Sequence, residues 1–296
     1  MSVAGSTLAR RALGRELRRL RLARNIQQAQ AARLAETSPQ SISRFEEGRS
    51  TRITSFQLNA LCDAYGVTDE KRRILLALLQ EAKASREHGG RWWRPYIDEM
   101  KAEFNHYIAL EEAANRLSCW KLAVIPGLLQ TPEYRRAVAW TENPNVSSEL
   151  VERRIEWTKR RQVRLGNPDF QVEFILSETV LRDQMGGPAV MLGQLERMLK
   201  VAELPNVSIR IVPFDATGHL GSLAGSFSLL EFPMLPQSRL MEPPIVYVEG
   251  YAGDLYLERD EEIQLYRDAL REIRRVALNA SNSRALILAI SKEHQW

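Results

Sequence analysis

The N-terminal part of the chain repeats apolar residues at the three- and four-residue spacing that is typical of amphipathic helices. These stripes predict helices at about residues 9–24 and 55–65 and in the leucine-rich segment that follows. Between them, residues 27–48 predict two short helices joined by a polar turn at Thr37 and Ser38. We therefore expect an all-α N-terminal domain of about five helices.

Farther along the chain the pattern changes, and runs of alternating apolar and polar residues appear. They predict strands at residues 170–178, 207–214, 227–232, 245–250 and 254–258. Helices are predicted around them at residues 97–140, with a break at 125–127, and at 147–165, 188–203, 260–277 and 281–293. Because alternation is typical of a sheet with one solvated face, we expect an α+β C-terminal domain with a mainly antiparallel sheet.

Local composition predicts where the domains begin and end. Residues 1–8 are small and polar and are expected to be disordered, whereas residues 9–82 should form the helical domain. The polar segment 83–90 is expected to be a linker, and residues 91–296 the α+β domain.

The second short helix has clear signals at both ends. Ser38 is a favourable N-cap, Pro39 suits the first helical position, and Gly48 supplies a left-handed stop. Ile42 and Phe45 share one face of this helix. The remaining faces carry Gln40, Ser41, Ser43 and Arg44.

These polar side chains are of the kind that reads DNA in the major groove. Gln pairs with adenine and Arg with guanine through two hydrogen bonds, while Ser reaches phosphates or either base. The loop that follows carries Arg49, which can hold the phosphate backbone. The alternative interpretation is an exposed polar face that is only solvated.

The distribution of charge supports the first interpretation. The chain of 296 residues has a formal net charge of +4, but residues 1–90 hold 16 Lys and Arg against 9 Asp and Glu, a net of +7. The rest of the chain holds 25 against 28, a net of −3. Positive charge beside a predicted groove-reading helix is typical of phosphate binding.

The segment around this helix resembles the lambda/434-repressor-like, or xenobiotic-response-element, family of helix-turn-helix domains. The resemblance spans roughly residues 10–80 and is carried by Gln28, Ser38, Pro39, Ile42, Ser43, Arg44, Glu46 and Gly48. The chain departs from the family pattern at four positions. Ala31 and Ala35 stand where leucines are usual, Glu36 replaces the turn glycine, and Thr37 replaces an apolar turn residue.

The resemblance implies roles for individual residues. Gln28 and Ser38 would contact phosphates, and the bases would be faced by Gln40, Ser41 and Arg44. Arg21 would form a buried ion pair with Glu46. In physical terms that pair would brace the first helix against the end of the recognition helix, and removal of one partner would strand a charge.

The C-terminal part resembles a sensor-like domain of unknown function that follows such helix-turn-helix modules in Streptomyces and related actinobacteria. The resemblance covers about residues 91–290 and is carried by VIPGLLQTPEYRRAV, ERRIEWTKRRQ, LPNVSIRIVPFDATGHLG, FSLLEF and VYVEG. It implies a transcriptional regulator of a kind often encoded beside a small partner protein and discussed as antitoxin-like.

The C-terminal domain also offers groups for a ligand or partner peptide. The candidates are Trp93, Tyr96, Trp120, Tyr134, Arg154, Arg160, His219 and Tyr247. The alternative is that most of these aromatic residues belong to the core. An enzyme is a further alternative, because Glu173, Glu178, Glu231 and Glu249 lie on or beside predicted strands. The sequence shows no nucleophile elbow or phosphate-binding glycine loop.

Other function classes lack their sequence signals. Cys62, Cys119 and four scattered histidines have no metal-ligand spacing, so we expect no metal and no cofactor. No apolar run is long enough to span a bilayer, and no signal peptide is seen, so we expect a cytoplasmic protein without a membrane partner.

Together these features predict a sequence-specific DNA-binding transcriptional regulator. It should bind double-stranded DNA as a homodimer on a near-palindrome, and its C-terminal domain should receive a signal from a small-molecule ligand or a small partner protein. Two alternatives stay open. One is an antitoxin-like module that neutralises a small partner protein and autoregulates its operon, and the other is a catalytic C-terminal domain.

Overall fold

The computed structural model describes residues 4–49, 53–87, 102–251 and 253–293. The chain divides into two compact units, each of which has its own core. The predicted linker residues 88–90 and the candidate ligand residues Trp93 and Tyr96 lie outside the described residues.

Among its described residues, the N-terminal part of the first unit has five helices, as the apolar pattern predicts. They are α1 (Ala4–Ala23), α2 (Gln28–Leu34), α3 (Pro39–Glu46), α4 (Ser55–Ala64) and α5 (Asp69–Glu87). α1 begins before residue 9, and α5 continues into the predicted linker as far as Glu87. Their buried apolar side chains include Leu13, Leu17, Ile42, Phe45, Leu58, Leu61, Leu75 and Leu78.

Side-chain caps define where α3 and α4 begin. The Ser38 hydroxyl oxygen accepts a hydrogen bond from the backbone N–H of Ser41 at 3.1 Å. Thr54 and Gln57 form a reciprocal capping box, with donor–acceptor distances of 3.0 and 3.1 Å. Because each cap satisfies a backbone N–H that has no helical partner, these boundaries are set by local sequence.

The turn between α2 and α3 contains a residue in the left-handed region. Glu36 has a φ of +48°, a conformation that glycine adopts freely and that strains a residue with a β-carbon. Next to it, the backbone N–H of Thr37 donates to the carbonyl oxygen of Ala32 at 2.9 Å. The substitution of Glu36 for the usual glycine therefore keeps the turn at a conformational cost.

Two later segments of the chain also belong to the first unit. They are Asn105–Ala113, which is part of α6 (Ala102–Ala113), and Phe232–Pro243. We call Phe232–Pro243 the insert hairpin, because it doubles back on itself and pairs Met234 with Met241 in an isolated antiparallel bridge.

Two buried glutamates hold the insert hairpin to the helices of the first unit. The side chain of Glu242 is fully buried, and its carboxylate accepts a hydrogen bond from Arg15 of α1 at 2.8 Å. Glu81 of α5 accepts hydrogen bonds from the backbone N–H groups of Gln237 and Ser238 and from the Ser238 hydroxyl. These partners are 227 and 157 positions apart in the chain, so no local pattern predicts them.

The described part of the second unit contains a six-stranded sheet and most of the later helices. The strands are β1 (Arg116–Lys121), β2 (Gln171–Ser177), β3 (Val207–Val212), β4 (Phe227–Glu231), β5 (Ile245–Val248) and β6 (Leu255–Leu257). The helices are α7 (Pro132–Glu142), α8 (Ser148–Gln162), α9 (Thr179–Arg182), α10 (Pro188–Val201), α11 (Gly221–Ala224), α12 (Asp260–Val276) and α13 (Ala280–Glu293).

The sheet is mixed, so the prediction of a mainly antiparallel sheet is wrong. Its strand order is β3-β2-β1-β4-β5-β6. β1, β2 and β3 are parallel neighbours, whereas β1 pairs with β4, β4 with β5, and β5 with β6 in antiparallel fashion. Helices lie between β1 and β2 and between β2 and β3, and such crossovers return the chain in the same direction.

The prediction of helical structure over residues 97–140 is wrong at Arg116–Lys121, which form the strand β1. The four residues from Leu117 to Trp120 are all buried, so this strand does not alternate between apolar and polar positions. A strand that is buried on both faces loses the alternation by which strands are recognised.

The core between the sheet and α12 organises the second unit. Trp120, Ile175 and Phe227, from β1, β2 and β4, pack with Leu270 and Ile273 of α12 in one buried cluster. The apolar face of α12 therefore lies on the sheet, and its arginines are left at the edge of this contact.

Candidate nucleic-acid interface

The packing of α3 determines which of its faces is available to a partner. Ile42 and Phe45 are buried in the first unit, while Gln40 and Arg44 are exposed. Because residues four apart lie on the same face of a helix, Gln40 and Arg44 stand one turn apart on the outward side. The geometry therefore presents an amide and a guanidinium from one helix face.

Gln40 and Arg44 keep their polar groups available. Among the residues that the structure describes, neither side chain has a hydrogen-bond or ion-pair partner within the protein. Both side chains offer the two-point hydrogen bonding that distinguishes adenine and guanine in the major groove.

The other polar residues near α3 have partners in the protein. The hydroxyl groups of Ser38 and Ser41 lie 3.0 Å apart, and the Ser43 hydroxyl donates to Glu47 at 2.7 Å. Arg49, which is exposed, forms an ion pair with the same Glu47 at 2.8 Å. Ser38 therefore contributes to the start of α3, and Ser43 and Arg49 contact Glu47 at its end.

An ion pair joins α1 to the C-terminal end of α3. Arg21 donates to the two carboxylate oxygens of Glu46 at 2.5 and 2.9 Å, and both residues are buried. A third donor of Arg21 reaches the carbonyl oxygen of Ile26 at 2.7 Å. The hydrogen bond to Glu46 raises the pKa of Arg21.

Gln28 belongs to the same bracing network. Its side-chain amide donates to Glu46 at 3.0 Å and is half-buried. The resemblance implies a phosphate contact for Gln28, whereas the structure shows its amide donor used inside the protein. Burial and then the negative charge of Glu46 raise the pKa of Tyr65.

Two glycines that no sequence motif links, Gly14 and Gly48, bring α1 against the end of α3. Gly14 lies inside α1, and Gly48 follows α3 with a φ of +65°. A β-carbon at Gly48 would lie 2.9 Å from the α-carbon of Arg11. An isolated glycine inside a predicted helix was the available signal, since such a residue often marks a close approach of two backbones.

The aromatic candidates of the C-terminal domain that the structure describes are part of its core. Trp120, Tyr134 and Tyr247 are buried, and their polar atoms are hydrogen-bonded within the second unit. The indole N–H of Trp120 donates to the carbonyl oxygen of Gly221 at 3.0 Å. Burial raises the pKa of Tyr134 to about 12.

The remaining described candidates of this domain are His219, Arg154 and Arg160. The His219 ring contacts the edge of Trp120 at a centroid distance of 5.8 Å. Arg154 and Arg160 lie on α8 and form ion pairs with Glu142 and Glu156, at 3.4 and 3.0 Å.

Two absences hold for the part of the chain that the structure describes. No helix there combines the length and the apolar character that are needed to cross a membrane. Within the same ranges, no three residues of the types His, Cys, Asp and Glu gather as a potential metal site. Cys62 and Cys119 are buried free thiols.

Comparison with known proteins assigns both parts of the chain. Residues 12–75 match a family model described as a helix-turn-helix domain, and residues 104–289 match the model of a domain of unknown function, DUF5753. No curated protein and no solved structure matches the chain. The second match covers more than half of the sequence, so the chain belongs to the DUF5753 family and carries a helix-turn-helix domain in front of that domain.

Proposed function

We propose that this protein is a sequence-specific DNA-binding transcriptional regulator of the repressor-like helix-turn-helix subtype. The observation that carries the proposal is the outward face of α3, where Gln40 and Arg44 have no partner among the described residues. The buried ion pair between Arg21 and Glu46 supports it, because a reading helix must be held rigidly for its base contacts to be specific.

The proposed roles separate base reading from positioning. Gln40 and Arg44 contact base edges, with Ser41 beside them, and the phosphate backbone is held by Ser38, Ser43 and Arg49. Gln28 acts through its hydrogen bond to Glu46. On a near-palindrome, two copies of the chain place two α3 helices about 34 Å apart, one turn of DNA.

The resemblance to actinobacterial regulators supports a proposal for where the protein acts and what its second domain does. The protein acts in the cytoplasm, and the DUF5753 domain receives a signal that alters DNA affinity. A ligand or partner has this effect only if it binds the two states of the protein with different affinity. No catalysis is proposed: Glu173 and Glu231 pair with arginines, and Glu178 accepts hydrogen bonds on both carboxylate oxygens.

The test is a footprint of the full-length protein on the DNA upstream of its own gene, at several salt concentrations. A protected near-palindrome that persists at physiological salt supports the proposal. Arg44→Ala and Gln40→Ala should each relax the preference at one base pair by about 1–3 kcal/mol. The matched control is Arg275→Ala, an exposed arginine of α12, which should leave the footprint unchanged.

Weak binding with a steep dependence on salt and without a footprint would contradict the proposal, because phosphate attraction alone behaves in this way. Unchanged base preference in both α3 variants would contradict the assigned groove contacts even if a footprint is present.

A second candidate function is the antitoxin-like neutralisation of a small partner protein. The observation that favours it is a set of exposed apolar residues in the second unit, which single-chain folding leaves uncovered: Phe214, Leu220 and Leu223, the last 85% exposed. Co-expression with the neighbouring gene product tests it. A stable complex that Leu223→Ser weakens, while Leu265→Ser on the exposed face of α12 does not, would favour this function.

A further inference from the structure

A polar cavity of about 480 Å³ lies in the second unit, beside α12. Its floor is formed where the first strands begin, by Ser118 of β1, Glu173 of β2 and Ser208 of β3, which are register neighbours. Arg116, Glu231 and three arginines of α12 surround this floor. The volume lies in the range of pockets that hold small molecules.

Each carboxylate of the cavity is already matched by one arginine. Arg274 donates to Glu173 from two nitrogen atoms, at 2.8 and 2.6 Å, and also to the Ser118 hydroxyl at 3.2 Å. Arg267 donates to Glu231 at 2.8 Å. Within each pair the arginine neutralises the carboxylate, so neither pair leaves a surplus negative charge for a cation to bind.

Positive charge is what remains in the cavity. Arg116 is exposed and has no side-chain partner among the described residues, because Glu231, opposite it in β4, pairs with Arg267. Arg271 pairs with Asp268 of its own helix and is 68% exposed. The half-buried Ser208 hydroxyl likewise has no side-chain hydrogen bond within the described ranges. The groups without a side-chain partner are therefore the Arg116 guanidinium and the Ser208 hydroxyl, while Arg271 uses one nitrogen for Asp268.

We propose that this cavity is the binding site for a small molecule that carries an oxyanion, a carboxylate or a phosphate. Guanidinium groups present paired N–H donors that match the geometry of both anions. Arg116 and Arg271 hold the anionic group, Ser208 donates to it from the floor, and the Arg274–Glu173 pair fixes one wall.

Binding has a consequence along the chain. An oxyanion in the cavity competes with Glu231 for Arg267. Glu231 is the last residue of β4. The next residue, Phe232, begins the insert hairpin, which is part of the first unit. A change in DNA affinity on binding would rest on the proposed function, whereas binding of the anion itself does not.

The test is isothermal titration of the full-length protein with inorganic phosphate and, separately, with succinate, against sodium chloride of equal ionic strength. Saturable binding with a Kd on the order of 1 mM is expected for the anion that matches, since each probe supplies only part of a ligand. Phosphate binding indicates a phosphate-bearing ligand, and succinate binding a carboxylate-bearing one.

Arg116→Gln and Arg271→Gln should each weaken this binding at least tenfold, while the control Arg275→Gln, on the same helix but outside the cavity, should not change it. Circular dichroism melts establish that the variants are folded. No saturation by either anion, or equal affinity in all three variants, would overturn the assignment. This outcome is independent of any DNA footprint.

Discussion

A β-carbon added at Gly14 of α1 would lie 2.2 Å from the carbonyl oxygen of Phe45 in α3. It would also lie 2.9 Å from the carbonyl oxygen of Glu46 and 3.0 Å from the backbone nitrogen of Gly48. All three neighbours are backbone atoms, so they cannot move aside as a flexible side chain does. The end of α3 therefore packs directly on the backbone of α1.

We expect Gly14→Ala to destabilise the first unit by about 2 kcal/mol or more, because a buried clash must push α1 away from α3. Chemical denaturation measures this change. The matched control is Gly193→Ala in α10, where an added β-carbon meets nothing within 4 Å. There the substitution should raise stability by about 0.5–1 kcal/mol. Equal effects at the two glycines would contradict the close packing.

The Arg21–Glu46 pair should behave as a buried pair. Glu46→Ala leaves the Arg21 guanidinium and the Gln28 amide without their acceptor, and we expect a loss of about 3 kcal/mol in the free energy of unfolding. The double variant Arg21→Met with Glu46→Leu should lose less than Glu46→Ala alone, because no charge is then stranded. A double-mutant cycle compares this double variant with Arg21→Met and Glu46→Leu alone. If the losses of the two single variants add up to that of the double variant, the two residues do not interact.

Relief of the left-handed turn is expected to stabilise the protein. Glu36 is exposed and has a φ of +48°, so Glu36→Gly should raise the free energy of unfolding by about 0.5–1 kcal/mol. The control is Ala29→Gly, at an exposed position inside α2, which should lower it by about 1 kcal/mol. If Glu36→Gly lowers the free energy of unfolding as much as the control does, the left-handed conformation of Glu36 has no conformational cost.

The insert hairpin should contribute to the stability of the helix-turn-helix unit. Glu242→Gln removes the charge that pairs with Arg15, and we expect faster amide hydrogen exchange in α1 and α5 and a loss of about 2 kcal/mol. Glu249→Gln, which changes an exposed glutamate paired with Lys121, is the control and should have a small effect. Unchanged exchange in α1 would contradict the proposed contribution.

Alkaline pH should destabilise the second unit. Burial raises the pKa of Tyr134 from 10.0 to about 12, so the folded state retains a proton that the unfolded chain has lost. This contribution to stability is complete below pH 10 and is lost as pH rises towards 12. Tyr134 should lower the free energy of unfolding by about 2–3 kcal/mol over that window, in addition to a contribution from Tyr247 of the same unit, whose pKa burial also raises.

Denaturation at several alkaline pH values measures this slope. Tyr134→Phe should reduce the slope, although it also removes the acceptor of the Ile125 backbone N–H. Tyr251→Phe, at a fully exposed position, should leave the slope as it is. A slope that is the same in all three proteins would mean that Tyr134 does not titrate in this window.

The sequence by itself determined the features that depend on neighbours in the chain. Ser38 and Thr54 cap their helices because a side-chain oxygen reaches a backbone N–H three residues ahead. The apolar stripes of the N-terminal helices and the strand runs after residue 170 were recognisable for the same reason. The division into an all-helical part and an α+β part follows from these periods alone.

Only the tertiary structure decided how distant segments combine. β1 has no alternation because it is buried on both faces, and its parallel pairing with β2 depends on where the helices between them pack. The carboxylates of Glu242 and Glu81 find their partners across the chain. The cavity joins residues from four strands and α12. Such contacts are set by the packing of whole elements, which no short-range periodicity encodes.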